Sequence, residues 1–170
     1  MSKYDNLIEM GEFGKKKRVN SKRKGSTFER NIAKILNERF NTKEFARTPG
    51  SGAFGTTHKN LPHYFKVAGD LITPEKFRFV LECKTGYDLR LEDLFKPASD
   101  LYKFIEQASR DGAVAKKPWL LVYKRDRQKA MVVSLEQFNL KKVVTFGDYH
   151  MYLLEEVLSL PEEVFFTEDI

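Results

Sequence analysis

The chain has a single cysteine, Cys83, among 170 residues, so an internal disulfide and a cysteine-based zinc cage are both excluded. No apolar run approaches the roughly 18 residues needed to cross a bilayer as a helix. Met1 to Met10 lack the apolar core of a secretory leader. These absences point to a cytoplasmic protein without a membrane partner. Histidines number three, and His58 and His63 flank Asn60-Leu61-Pro62 at a spacing that matches no zinc signature, so they read as surface or nucleic-acid-facing residues. No internal repeat is visible. Basic charge is missing from the last stretch, Glu155 to Ile170, which carries only acids.

What is present is a positive charge held mostly at the other end. The net charge is +6, and Lys15-Lys16-Lys17-Arg18 and Lys22-Arg23-Lys24 crowd the N-terminal arm. Such polarity fits a polyanion such as nucleic acid. Residues 1–24 are polar and lack periodicity. They read as a flexible basic arm, either a solubilising tail or a segment that orders on a phosphate backbone. The remaining residues, 25–170, are of a length for one domain with its own core.

Ser26-Thr27-Phe28-Glu29 has the form of a capping box, with Ser26 as N-cap and Glu29 three residues on. Phe28, Ile32, Ile35, Leu36 and Phe40 follow at helical spacing, predicting a helix over 27–40 with Asn41 as its stop. The cap alone is a sufficient structural reason for Glu29. Residues 43–47 suit a short strand, and 48–57 form a Gly/Ser/Thr loop of a kind that offers N–H groups to phosphate. Ala98 to Arg110 reads as a second helix, buried through Leu101, Phe104, Ile105 and Ala108 and stopped by Asp111-Gly112. Gln107 lies at the edge of that stripe. Strands follow at 118–124 and 130–133, a cap for a short helix at 134–137, a hairpin around Gly147-Asp148, and a short helix at 155–160. The order predicts an α/β fold with a mixed central sheet flanked by helices.

The chemistry concentrates between Gly69 and Lys84. Two strands joined at Pro74 carry Asp70 on the first and Glu82-Cys83-Lys84 on the second. Side chains alternate along a strand, so Glu82 and Lys84 share one face while Phe77, Phe79, Leu81 and Cys83 share the other. Two carboxylates suit a hard divalent cation, and a neighbouring lysine suits a role toward water. The competing reading is a same-face ion pair of little energetic weight. A tight hairpin at Pro74 sets Asp70 opposite Phe79, roughly 10 Å short of Glu82 along the strand. The two acids therefore meet only if the strands are offset, bulged or strongly twisted.

Arg23-Lys24-Gly25-Ser26-Thr27-Phe28-Glu29-Arg30, Arg47-Thr48-Pro49-Gly50-Ser51-Gly52, Gly69-Asp70 and Glu82-Cys83-Lys84 together resemble the PD-(D/E)xK nuclease superfamily. Within it they are most similar to archaeal and phage-type Holliday junction resolvases, over about residues 23–125. The chain departs from the pattern at Gly69, which stands where the motif has proline, and the segment from Ser51 to Asp70 is long. The resemblance implies a restriction-endonuclease-like fold and metal-dependent cleavage of DNA. It implies Mg²⁺ or Mn²⁺ held by Asp70, Glu82 and the Cys83 backbone carbonyl, with Glu29 acting on the metal directly or through water. Lys84 would orient the attacking water, and Gln107 would support the site. Arg23, Lys24, Arg30, Arg47 and Ser51 would contact DNA. A homodimer cutting four-way junctions is the implied assembly. A same-fold nuclease for flaps, ends or duplex DNA, and a non-catalytic DNA-binding protein, are the other two readings.

Overall fold

A computed structural model describes residues 20–49 and 68–168. The first helix, α1 (Ser21–Arg39), begins six residues before the expected start. Asn20 is its cap, its side chain accepting a 3.0 Å hydrogen bond from the Lys22 N–H. Ser26 therefore lies inside the helix, where its hydroxyl bonds back to the Arg23 carbonyl at 3.2 Å. The capping box is overturned, and Arg23 and Lys24 belong to α1. Phe28, Ile32, Ile35 and Leu36 form its buried stripe, and Asn41 in the left-handed region (φ 48°) ends it as expected.

Two small strands, β1 (Ala46–Arg47) and β2 (Leu71–Ile72), pair antiparallel with Arg47 opposite Leu71. The main sheet has five strands in the order β3-β4-β5-β7-β6. They are β3 (Val80–Thr85), β4 (Trp119–Lys124), β5 (Met131–Ser134), β6 (Val144–Phe146) and β7 (Tyr149–Leu153). β3 and β4 are parallel, with Glu82 beside Leu121, and the other pairs are antiparallel. A parallel pair needs a long crossover, here a 3₁₀ turn over Leu91–Phe95 and the helix α2 (Asp100–Ala115). A five-residue helix, α3 (Leu154–Leu158), follows β7. Among the described residues no helix is long and apolar enough to cross a membrane.

Period-two alternation splits the interior into two layers. Leu81, Cys83, Leu120, Val122 and Val132 face α1 and α3. Val80, Trp119, Leu121, Tyr123 and Val133 face α2. On the α1 side Phe40, Phe45, Phe77 and Phe165 gather, with Phe45 and Phe77 at 4.9 Å in an edge contact. Each fully buried ring there contributes roughly 2–3 kcal/mol. The acidic C-terminal stretch helps hold this layer in place, because Phe166 bridges to Phe77 and the Phe165 carbonyl accepts the Arg78 N–H at 2.8 Å.

Two further expectations change. α2 runs through Asp111-Gly112 and ends only at Lys116, which is left-handed (φ 54°). Gly112 is there for space, since a Cβ would sit 2.9 Å from the Lys117 carbonyl oxygen. Residues 134–137 close β5 and bend at 135–136, and no helix follows for them to cap.

Candidate active site

Asp70 reaches Glu82 because the expected hairpin does not form. The chain after Ile72 turns at Pro74, where the Phe77 N–H bonds the Pro74 carbonyl, and then pairs through Phe77 and Arg78 with the C-terminal segment. Only at Val80 does it join β4. The wider excursion shifts the register by two residues. The Asp70 N–H donates to the Leu81 carbonyl at 2.8 Å, so Asp70 stands opposite Leu81 instead of Phe79. The Cys83 N–H then donates to Asp70 Oδ2 at 2.8 Å. Gly69 makes this possible. Its φ is +80°, and a Cβ there would lie 2.6 Å from the Leu81 carbonyl oxygen.

Residues 81 and 83 direct their backbone polar groups toward the edge of β3 that faces Asp70. An N–H and C=O of one strand residue leave the strand on the same side. The Cys83 carbonyl therefore emerges beside the Asp70 carboxylate. The Cys83 thiol points the other way, into the α1 layer, where burial first and the nearby Asp70, Glu82 and Glu29 charges next hold its pKa well above the usual thiol value.

Glu82 and Lys84 share a face as expected, but that face is covered by α2. The Glu82 side chain is 1% exposed and that of Lys84 17%. Lys84 Nζ donates to Glu82 Oε1 and sits 5.3 Å over the Phe104 ring of α2. Among the described residues no N–H or hydroxyl donates to Glu82 Oε2, and the Asp70 and Asp111 carboxyls are the polar groups that Glu82 meets besides Lys84. Burial, reinforced by the Asp70 charge, pushes the Glu82 carboxyl up to about 8 despite Lys84. Burial also raises Asp70, against the Cys83 N–H and the Lys84 charge. For Lys84 burial acts downward, but the Glu82 charge and hydrogen bond outweigh it and the net shift is upward. One ammonium does not neutralise two buried carboxyls, so without a cation the pair keeps a proton at neutral pH.

This donor set fits a hard divalent cation. The oxygens are a buried Glu82 Oε2 that no N–H donor satisfies, the Asp70 carboxylate and an edge carbonyl, and the Cys83 thiol is turned away from them. Among the described residues no cluster of three or more acidic, histidine or cysteine side chains is gathered to hold a metal. The Asp70 and Glu82 carboxylates and the Cys83 carbonyl are the oxygens gathered at β3, with the Asp111 carboxyl against Glu82 from α2.

Glu29 has a different partner from the one its sequence context implies. It is buried on α1 and paired with Arg47 Nε at 2.5 Å. β1 brings Arg47 to this region, because the next residue, Thr48, donates its N–H to the Asp70 carbonyl at 2.9 Å. Arg23 and Arg30 are exposed on α1, and Arg30 joins Lys34, Asn37 and Arg47 along an open groove. Lys24 lies across Gly86 and is paired with Asp126 of the β4–β5 turn. Ser51, His58 and His63 lie outside the described residues.

Gln107 is half-buried on α2, one turn from Phe104 and one turn from Asp111. Asp111 is the acid that the sequence reading misses. Burial raises its pKa, while Glu82 and the Gly69 N–H, both facing its carboxyl, act to lower it. The signal was available in the spacing, since Phe104, Gln107 and Asp111 recur on one helical face. Ending the helix at Asp111 hid it.

An acid from the neighbouring turn, an E-x-K strand and a helix laid over both are the working parts of a PD-(D/E)xK nuclease, and the mixed sheet between helices is the restriction-endonuclease-like fold. The chain belongs to the family described as "Phage putative PDDEXK endonuclease", whose model matches residues 20–153. Protein D14 of Escherichia phage T5 is 33% identical over 115 residues, which cover 64% of this chain and 67% of that protein. No solved structure matches the chain.

Proposed function

We propose that this nuclease is a divalent-cation-dependent DNA endonuclease that cuts four-way junctions as a homodimer in the host-cell cytoplasm. The observation that carries the reading is the Cys83 N–H to Asp70 Oδ2 bond, which holds the second acid against the Glu82–Lys84 pair. Asp70, Glu82 and the Cys83 carbonyl would hold Mg²⁺ or Mn²⁺. Such a cation, when bound, neutralises phosphate charge and lowers the pKa of a coordinated water.

The protein's own groups do the rest. Lys84 orients Glu82 and presents its ammonium to the phosphate side of the site. Gln107 and Asp111 bear on that face from α2. The Glu29–Arg47 pair stiffens the approach to Asp70 and leaves Arg47 near the scissile strand. Arg23, Lys24, Arg30 and Ser51, with the basic residues that precede α1, follow the DNA backbone. The preference for junctions is supported by the sequence blocks around Glu29 and Arg47. Two symmetric cuts call for two sites related by a two-fold axis, hence the dimer.

Cleavage of four-way junction, flap and duplex DNA in Mg²⁺, comparing wild type with Glu82→Ala, tests this. Junction cutting that the substitution and EDTA both abolish is expected. Equal cutting of plain duplex refutes the junction preference, and metal-independent cutting refutes the site.

A further inference from the structure

Beyond the acids and lysine, the chain just past β3 carries an exposed aromatic side chain. Gly86, at φ +84°, turns the chain out of the strand, and the next residue is Tyr87. Its ring meets Phe104 at 4.6 Å between centroids with planes 66° apart. Phe104 is the ring that carries Lys84. A continuous line thus runs from the buried Glu82, through Lys84 and Phe104, to a tyrosine that is 44% exposed. The segment that follows displays Leu91 and Phe95, 68% and 83% exposed. Lys24 borders the same turn, its side chain lying across Gly86.

Exposed aromatics are common and most need no explanation. Tyr87 differs because its ring is held by an edge contact on the ring that carries Lys84, just past the strand of Glu82, with Lys24 lying across the adjoining Gly86. A fixed, partly open ring next to a basic side chain is an arrangement that binds an unpaired base, by stacking against its face while the backbone follows the charge. Duplex DNA keeps its bases stacked on one another and offers no such face.

We propose that Tyr87 is a substrate-contact residue, on whose ring a splayed base beside the cut stacks. The role belongs to the ring and not to the hydroxyl, and it selects DNA with unpaired or unstackable nucleotides. The inference rests on the nuclease site proposed above.

The full-length protein is tested with four-way junctions carrying 2-aminopurine at positions flanking the cut, using wild type, Tyr87→Phe and Tyr87→Leu. Leucine keeps apolar packing on Phe104 but cannot stack. Wild type and Tyr87→Phe are expected to change the fluorescence at one flanking position. Tyr87→Leu is expected to lose that change and to raise KM on the order of ten-fold, with kcat nearly unchanged. Tyr87→Leu behaving as wild type in both readouts overturns the inference. So does Tyr87→Phe losing as much as Tyr87→Leu. A lowered melting temperature with a parallel fall in kcat assigns Tyr87 to packing alone and also overturns it. Wild-type protein that neither cuts nor binds DNA defeats the nuclease reading instead.

Discussion

Replacing Glu82 with glutamine separates the electrostatic cost of the site from its chemistry. The unfolded chain ionises Glu82 near 4.5, and the metal-free fold holds it protonated until about 8. Between those values the unfolded state has released a proton that the folded state still binds. The contribution of this group is therefore fully present below about pH 4.5 and is lost as pH rises toward 8. Each pKa unit corresponds to about 1.4 kcal/mol, so the loss approaches on the order of 5 kcal/mol. With 1% of the side chain exposed, solvent screening removes little of it. Glutamine keeps the shape, leaves its carbonyl to accept from Lys84, and has no charge to bury. The stability difference between Glu82→Gln and wild type in EDTA should thus be small at pH 5 and favour the variant by several kcal/mol at pH 8.5. For a chain of this size that is a melting-temperature gap on the order of 10 °C. Mg²⁺ should narrow the gap by stabilising wild type alone, more strongly at pH 8.5 than at pH 6, and the variant should not cleave. Thermal unfolding across pH with and without Mg²⁺ reads all of this. A gap that is the same at pH 5 and pH 8.5 refutes the reasoning.

Other perturbations address the scaffold. Gly69→Pro writes the usual motif letter into the chain, yet proline fixes φ near −65° where the fold needs +80°. It also removes the N–H that faces Asp111. Melting and cleavage should both fall sharply, and a variant as active as wild type would show that the turn tolerates either letter. Asp111→Asn should lower cleavage or cation affinity about 10–100-fold with little change in melting, as for groups that orient ligands from behind. Unchanged cation titration and cleavage would remove Asp111 from the site. Deleting residues 1–19 should flatten the salt dependence of DNA binding, by about one unit of slope for each phosphate that the arm neutralises, as measured by titration at several salt concentrations.

What could be read from the sequence divides by range. Period-two alternation in 77–84 predicted which side chains enter the α1 layer, because that pattern is local to one strand. The strand at 118–124 and the hairpin around Gly147-Asp148 were legible for the same reason. Misreadings arose where a local signal competed with a distant partner. Ser26 and Glu29 spell a cap, but Asn20 caps α1 earlier and Glu29 turns to Arg47, eighteen residues away. Asp111-Gly112 spells a stop, but Gly112 is needed where α2 approaches Lys117, and the helix continues past it. The Pro74 hairpin failed because Phe77 and Arg78 pair with Phe165 and Phe166, a pairing that no short window of sequence contains.

The same long-range pairing sets the geometry of Asp70 in a chain that has glycine, not proline, at residue 69. Three bonds place Asp70: its N–H on the Leu81 carbonyl, its carbonyl accepting from Thr48, and its carboxylate accepting from Cys83. None of them involves the side chain of residue 69. Proline would stiffen the turn by fixing φ at a negative value. Here glycine takes a positive φ, lies flat against β3 and presents an N–H toward Asp111. The conformational entropy that glycine adds to the unfolded chain costs roughly 1 kcal/mol, less than one buried backbone hydrogen-bond group left without a partner, at about 1–3 kcal/mol. The site therefore depends on the partners of Asp70 together with the positive φ that glycine allows before it. An acid held by Leu81, Thr48 and Cys83 beside an E-x-K strand is the geometry that a motif spelled in residues describes only indirectly.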